Sequence, residues 1–475
     1  MIGKTSGVVF VLVILCAIGY GIEARSAGMG NLSLLFPDDF HRYDLYDYAS
    51  IPAALMWNDT TTFTAIRLSG LQETWRHDSL RYLAIGEAFP RKLIDNTPLQ
   101  AISYIYNALP VFNMSPADFV YSSSKTKETS GDFGNTKKPQ AWRFYGNYGM
   151  LNQTRLGDSL TSRIKTPGFS FAYAKPVSKT LNYGLSGDLF YSSFTSGDGD
   201  DKATLLPIGA GGGIALNKSN ISAGINVEYH YPMFKYSETW GTNTYSESFK
   251  GHAATPSVGA ILKSGPVTWA STVHYTWMSL SGTSEGEDVG DVMITGYSGT
   301  TTVLISRGLI RGAVFGRYDT RTPKYTDETS NEWFKMTYTD LNGGAGVGMS
   351  QGKISAGFEG IVLQGQINDN LDNTSFKNRD LTGKAGVEYS IIKGLCARAG
   401  FNYGIYDPDL DGSGDKITSQ SITGGFGVIA LPGMRLDIAY NYRTATTETD
   451  PDEKITDHIV LLYFKYLIPE KEGFF

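Results

Sequence analysis

The sequence predicts an all-β fold, a transmembrane antiparallel β-barrel of the bacterial outer membrane with about 16 strands (roughly 14 to 18) and an N-terminal plug-like segment. Three observations support this prediction. Apolar and polar residues alternate over stretches longer than the strands of a soluble sandwich. Short and long connections alternate between these stretches, and an export signal precedes them all.

Residues 1–24 are typical of a cleaved signal peptide. Lys4 precedes an apolar core that runs from Val8 to Ile18, and small residues lead to a cleavage site at the end of the segment. The core is too short to span a bilayer, so the segment directs export and does not anchor the chain. Its removal takes Cys16 away and leaves a single cysteine, so the mature chain cannot form an internal disulfide.

The stretch GMRLDIAYNYR, at residues 433–443, shows the strand pattern clearly. Leu436 and Ile438 belong to an apolar set, while Asp437 and Arg443 belong to a polar set on alternate positions. A period of two is that of a β-strand, whose successive side chains point to opposite faces. We therefore expect lipid on the apolar face and a polar lumen on the other. The same alternation recurs at residues 221–233, 381–390 and 395–405.

The connections between these stretches fall into two classes. Short ones such as NKSN, KSGP and IKGL carry Lys, whereas long ones are rich in Asp and Glu, among them TSGDGDDK, SGTSEGEDVG, DTRTPKYTDETSNE and TATTETDPDEK. Short turns at one end and long extracellular loops at the other are typical of an outer-membrane barrel. A soluble β-sandwich or propeller would explain the alternation. It would not explain the strand length, the two classes of connection and the export signal together.

Charged residues on the predicted inner face are the candidate functional residues of the barrel. In register, opposite charges on neighbouring strands can form ladders that support the wall or hold a plug. The same residues can instead set up a transverse field in a water-filled pore, and the sequence leaves both roles open. Mixed charge does not suit a continuous apolar tunnel. The candidates are Glu228, His230, Lys384, Glu388, Arg398, Arg435, Asp437 and Arg443.

Residues 25–58 lie between the signal peptide and the first strands. They are aromatic and acidic and lack strand periodicity. Such a segment before a barrel can fold inward as a plug, and its aromatic residues, Trp57 among them, are too numerous for a free tail. We assign residues 59–468 to the barrel and residues 469–475 to a C-terminal tail.

The start of this segment resembles that of the FadL-like and PorV-like outer-membrane barrels. Their mature chains often begin with a Ser-Ala-x-Met-Gly run and carry an Asn-Pro-Ala segment near the first strand. SAGMGN, at residues 26–31, matches the first, and IPAAL, at residues 51–55, matches the second at Pro52 and Ala53, with Ile51 in place of the Asn. The resemblance implies a barrel of about fourteen strands with an N-terminal hatch. Known members carry hydrophobic compounds or serve protein secretion.

No constellation of residues predicts catalysis, so we expect the protein not to be an enzyme. Two matches to the G-x-S-x-G elbow, GTSEG and GMSQG, lie in a predicted loop and turn, whereas the elbow needs a strand-to-helix turn. The run DPDLDGSGD, at residues 407–415, opens like a calcium loop with Asp407, Asp409 and Asp411 as ligands, but it lacks the closing Glu. It is either a weak Ca²⁺ site, the one cofactor expected, or a solvated acidic hairpin tip.

The predicted function is that of an outer-membrane channel or transporter for small solutes or hydrophobic compounds. The alternative is a structural or secretion-associated barrel that binds a protein partner through its long acidic extracellular loops. In either role the barrel contacts outer-membrane lipid and lipopolysaccharide. The net charge of −6 and the lack of a basic cluster argue against nucleic acid as a partner.

Overall fold

The described part of the chain is built from β-strands. The computed structural model describes Met29, Leu35 and residues 63–69, 71–76, 80–85, 117–124, 141–155, 161–195, 202–218, 220–240, 243–284, 287–326, 329, 332–371, 374–407, 416–431, 434–447 and 454–467. The predicted signal peptide and C-terminal tail lie outside these residues, as does most of the predicted plug. Across the described ranges, there is no helix long and apolar enough to span a membrane.

Within the described residues the sheet has 21 segments, and most are long. In chain order they are β1 (Phe63–Ser69), β2 (Leu71–Arg76), β3 (Leu80–Ile85), β4 (Ala117–Ser124), β5 (Ala141–Arg155), β6 (Thr161–Pro176), β7 (Leu181–Phe190), β8 (Ser192–Thr195), β9 (Lys202–Asn217), β10 (Ile221–Trp240), β11 (Asn243–Ser264), β12 (Val267–Ser284), β13 (Glu287–Arg307), β14 (Ile310–Thr326), β15 (Glu332–Gln351), β16 (Ile354–Asp369), β17 (Thr374–Ile392), β18 (Leu395–Asp407), β19 (Ile417–Leu431), β20 (Met434–Thr447) and β21 (Lys454–Leu467).

These segments form one closed ring. Each strand from β9 to β20 pairs antiparallel with its chain neighbours, and β21 also pairs with β1 and β2, which closes the sheet on itself. In three places, two consecutive segments lie end to end and together occupy one strand position of the ring. These are β1 with β2, β3 with β4, and β7 with β8. The 21 described segments therefore occupy 18 positions. This even number lies at the upper limit of the predicted range.

The two ends of the ring differ in the length of their connections. At one end, which we call the turn end, most of the described connections are two-residue turns. Gly265, Gly308 and Gly352 have φ angles of 55°, 61° and 57° in these turns. Glycine adopts this left-handed conformation at little cost, so these residues allow the tight reversal. The opposite end, which includes the longer connections between β14 and β15, β18 and β19, and β20 and β21, is the loop end.

At the loop end the strands run further than the sequence analysis predicts. The runs DTRTPKYTDETSNE and SGTSEGEDVG, predicted as long loops, are mostly strand, because β14 continues to Thr326 and β12 to Ser284. The prediction is wrong at these positions. Beyond the lipid a hairpin needs paired backbone groups but no apolar face, so its composition resembles that of a loop.

The outer and inner faces of the ring have opposite chemistry. On β12, Trp269, Val273 and Trp277 point outward with 37%, 52% and 38% of their surface exposed, whereas Ala270 and Met278 are buried on the inner side. Exposed large apolar side chains recur along the outer face from β6 to β20. A closed ring with such an apolar belt is suited to lipid, so the chain forms a transmembrane β-barrel.

The two faces of β12 provide a test of this arrangement. Val273→Arg should lower the free energy of unfolding by about 2–4 kcal/mol, because it places a charge near the middle of the apolar belt. Thr276→Arg, at a half-buried position on the inner face of the same strand, should cost much less. Urea unfolding in lipid vesicles measures both values. Equal losses at the two positions would contradict the assignment of the faces.

Candidate functional site in the barrel lumen

The inner face of β14 carries a cluster of three charges. Arg321 donates two hydrogen bonds to Asp319, from Nε to Oδ1 and from Nη2 to Oδ2, both 2.9 Å long. Arg317 Nη2 donates to the same Oδ2 at 3.3 Å. Asp319 is 6% exposed, so the two arginines compensate a buried carboxylate. Asp319 and Arg321 belong to a run predicted as a loop, and the period-two spacing of the three residues is the signal that the prediction missed.

A second cluster lies on the inner faces of β17, β18 and β20. The side chain of Arg398 is fully buried, and its Nε donates to Glu388 Oε2 at 2.7 Å. Its Nη2 lies 2.6 Å from Asp437 Oδ1, and Asp437 is also fully buried. Nη2 lies 3.0 Å from the Sγ atom of Cys396, a residue that the sequence analysis did not single out. The structure thus brings together three of the predicted lumen residues as one ion-paired group.

A glycine makes this second cluster possible. Gly427 lies on β19, between the strands that carry Arg398 and Asp437. A Cβ atom at Gly427 would overlap both Asp437 Oδ1 and Arg398 Nη2. The two side chains therefore meet over the bare backbone of the strand between them, so a larger residue at this position would separate the pair.

His230 lies between two carboxylates on the opposite wall. Its Nδ1 is 3.5 Å from Asp188 Oδ2, and its Nε2 is 3.8 Å from Glu228 Oε2. A Cβ atom at Gly209 on β9 would overlap Asp188 and His230, so this strand too leaves room for side chains of its neighbours. The sequence analysis singled out Glu228 and His230 but not Asp188, which occupies an inward position of β7 in the same alternation.

The other predicted lumen residues are more dispersed. Lys384 on β17 and Arg443 on β20 are half-buried on the far side of the ring from His230. Arg435 is in register with Ile429 on β19, but its side chain lies outside what the structure describes.

The calcium and plug predictions fall largely outside the described residues. Asp407 is 7% exposed at the end of β18, and its Oδ2 lies 3.9 Å from Arg379 Nη2. Asp409 and Asp411 are not among the described residues, nor are the plug residues Pro52, Ala53 and Trp57. Within the described ranges, no group of three or more His, Cys, Asp or Glu side chains is placed to hold a metal ion.

Two described residues of the predicted plug segment contact the inner wall. Met29 is fully buried and Leu35 is 4% exposed. Both pack with Ala313, and the partly buried Leu304 and Phe315 lie against them.

The backbone of this segment is also held by the wall. The Leu35 N–H donates to Oε1 of the fully buried Glu359 on β16 at 2.7 Å. A Cβ atom at Gly386 on β17 would overlap the carbonyl of Met29. The sequence analysis did not identify Glu359, since nothing in its own strand indicates that its partner is a distant backbone amide.

The inner wall near the loop end is apolar. Phe234 and Phe249, from β10 and β11, contact each other with ring centroids 6.1 Å apart. Phe249 covers Gly282 on β12, where a Cβ atom would overlap its ring. The cluster spans six neighbouring strands, β9 to β14. Its buried members are Ala203, Leu205, Phe234, Phe249, Ala253, Met278, Leu280, Val292, Ile294 and Tyr325.

A polar pair lies at the edge of this apolar wall. Tyr245, two residues from the start of β11, donates its hydroxyl to Oε1 of Glu247, which is 1% exposed. Burial and the bond to Glu247 raise the pKa of Tyr245 to about 12. Its phenol therefore remains a hydrogen-bond donor at alkaline pH values at which an ordinary tyrosine ionises.

Fold and lumen together define an outer-membrane β-barrel whose interior combines ion-paired groups with an apolar wall. In sequence comparisons the chain matches no protein-family model and no curated protein.

Solved structures match the chain over most of its length. The CymD monoaromatic hydrocarbon channel is 9% identical with a TM-score of 0.38, covering 95% of this chain and 99% of that one. The toluene transporter TodX of Pseudomonas putida is 12% identical with a TM-score of 0.35, covering 95% and 98%. The yersiniabactin receptor FyuA of Yersinia pestis is 10% identical with a TM-score of 0.46, covering 84% and 65%.

At such low identities and TM-scores these structures assign no substrate to this chain. The functional argument therefore depends on the geometry of the lumen itself.

The buried ion pair of Arg398 can be compared with an exposed one. Arg398→Met should lower the free energy of unfolding by about 3–5 kcal/mol, because it removes the cation from a buried carboxylate. Lys324→Met should cost much less, since both Lys324 and its partner Glu332 are partly exposed, at 30% and 37%. Chemical unfolding in detergent measures both. The explanation fails if the two variants lose the same stability.

Proposed function

We propose that this barrel transports small compounds with a large apolar surface across the outer membrane. The main support for this proposal is the apolar wall at the loop end. The lumen of a general porin is polar, whereas ten buried apolar residues form a continuous cluster on the inner face of this barrel. A solute gains free energy from contact with such a wall in proportion to the apolar area that it removes from water.

The inner face of β14 presents apolar and charged side chains in succession, which supports a route for a solute along this strand. From the loop end inward it presents Tyr325, then the charges of Arg321, Asp319 and Arg317, and then Phe315. Both arginines share the one carboxylate of Asp319, so the three residues carry a formal net charge of +1. The side chains of Arg317 and Arg321 are 28% and 21% exposed, which leaves them able to contact a polar group of a solute. This order of apolar and charged surfaces along the lumen favours a compound with an apolar body and one polar or anionic group.

The N-terminal contact supports a role for the plug segment in controlling passage. Met29 and Leu35 form a second apolar cluster with Ala313, and the backbone of Leu35 is fixed by Glu359. A solute that follows β14 past Phe315 meets this cluster directly. We therefore infer that Leu35 moves away from the wall when a solute passes.

The alternative role, binding of a protein partner through the loops, depends on residues that lie mostly outside the described ranges. It stays a prediction of the sequence.

The apolar wall can be tested by a change that keeps volume and removes apolarity. Met278→Gln should slow the uptake of a small aromatic hydrocarbon into proteoliposomes while uptake of a sugar is unchanged or faster. Thr276→Gln, one inward position away on the same strand, should leave the ratio of the two rates unchanged. If Met278→Gln slowed both solutes equally or neither, the apolar wall would not determine which compounds pass.

The plug contact can be locked by a disulfide. A Cβ atom at Gly346 would lie 3.0 Å from Leu35 Cγ, so Leu35→Cys with Gly346→Cys should cross-link on oxidation. Oxidation should then reduce hydrocarbon uptake, and a reductant should restore it. The control pair, Leu35→Cys with Gly360→Cys, should not respond, because a Cβ atom at Gly360 meets nothing within 4 Å. Full cross-linking with unchanged uptake would rule out movement of this segment as a requirement for transport.

A further inference from the structure

The turn end of the barrel carries a set of exposed basic residues, which we call the basic rim. One such residue occurs at each of six consecutive connections, from the β6–β7 connection to the β17–β18 connection. The described residues in these connections include no Asp or Glu. The basic rim consists of Lys179, Lys218, Lys263, Arg307, Lys353 and Lys393.

The basic rim borders the lipid-facing belt. Each of its members lies within two residues of an exposed large apolar side chain, as Lys263 does of Leu262 and Arg307 of Ile305, which are 36% and 43% exposed. The junction between an apolar belt and water is where lipid headgroups lie. Long basic side chains at such a junction place their aliphatic stems on apolar surface and their charges among the phosphates.

We propose that the basic rim is a binding site for the headgroups of anionic phospholipids in the inner leaflet of the outer membrane. Short turns face the periplasm in outer-membrane barrels, so the turn end meets the leaflet made of phospholipid. Each Lys or Arg near an anionic surface adds its own attraction. Because the six residues are spread from β6 to β18 around the ring, they engage several lipids at once. The binding does not depend on which solute crosses the lumen.

Lysines at the loop end provide a matched comparison. Lys235 on β10 and Lys250 on β11 are exposed, but neither has an exposed large apolar side chain within two residues. Lys250 and Lys263 lie on the same strand, with Lys263 beside the turn end and Lys250 thirteen residues closer to the loop end. The two sets share charge and exposure and differ in their distance from the lipid-facing belt.

The test uses the full-length protein in a neutral detergent. The protein is equilibrated with equal amounts of phosphatidylglycerol and phosphatidylcholine, and the retained lipids are counted by native mass spectrometry. The test variant is Lys263→Gln/Arg307→Gln/Lys353→Gln, and the control is Lys235→Gln/Lys250→Gln. A third variant, Lys263→Arg/Arg307→Lys/Lys353→Arg, keeps the charge. Heat-modifiable migration on gels confirms that each barrel is folded.

The proposal makes distinct predictions for the four proteins. The unmodified protein, the Lys235/Lys250 control and the charge-conserving variant should retain phosphatidylglycerol in preference to phosphatidylcholine. The ratio should fall close to one for the charge-removing variant of the basic rim. The proposal is overturned if the unmodified protein shows no preference, if the charge-removing variant keeps it, or if the loop-end control loses it to the same extent.

Discussion

Lipid offers no hydrogen-bond partner to a peptide group, and this constraint governs the rest of the structure. The sheet meets it by closure, since β21 pairs with β1 and β2 and leaves no edge strand between them. Closure fixes which side chains of each strand face lipid and which face the lumen. On β12, for example, Val273 points toward lipid and Thr272 toward the lumen. The charged residues of the strands are thereby gathered inside, where they need partners of their own.

The partners come from neighbouring strands, and glycines provide the space for them to meet. Gly427 lets Arg398 reach Asp437, Gly209 leaves room for Asp188 and His230, and Gly386 admits the carbonyl of Met29. A buried charge without a partner is costly, so these small residues allow the lumen to contain charges without losing the fold. The chain has 55 glycines, yet only five of those in the described residues have a positive φ angle, four of them in turns. The close approach of side chains or backbone from neighbouring elements accounts for other glycines, such as Gly209, Gly386 and Gly427.

The sequence predicted the architecture because period-two alternation and chain connectivity are local properties. It predicted the faces of Leu436 and Asp437 correctly, since one is exposed and the other buried. It failed where local composition is ambiguous, as at Asp319, whose polar neighbours suggested a loop although they continue a strand. It could not find the contact between Glu359 and Leu35, which joins residues 324 positions apart. Nor could it predict the apolar inner wall. Around Phe234 and Phe249 the alternation of the sequence does not show which face of the strands points to lipid.

The combination of apolar wall, ion-paired groups and a fixed N-terminal contact sets this lumen apart from a simple water-filled pore. All three depend on the assignment of inner and outer faces. The most direct test is a nitroxide scan along β12, from position 268 to 279, in lipid vesicles. The structure predicts that accessibility to oxygen alternates with a period of two, with maxima at outward positions such as Val273 and Tyr275. Uniform accessibility, or maxima at Thr272 and His274, would contradict the account.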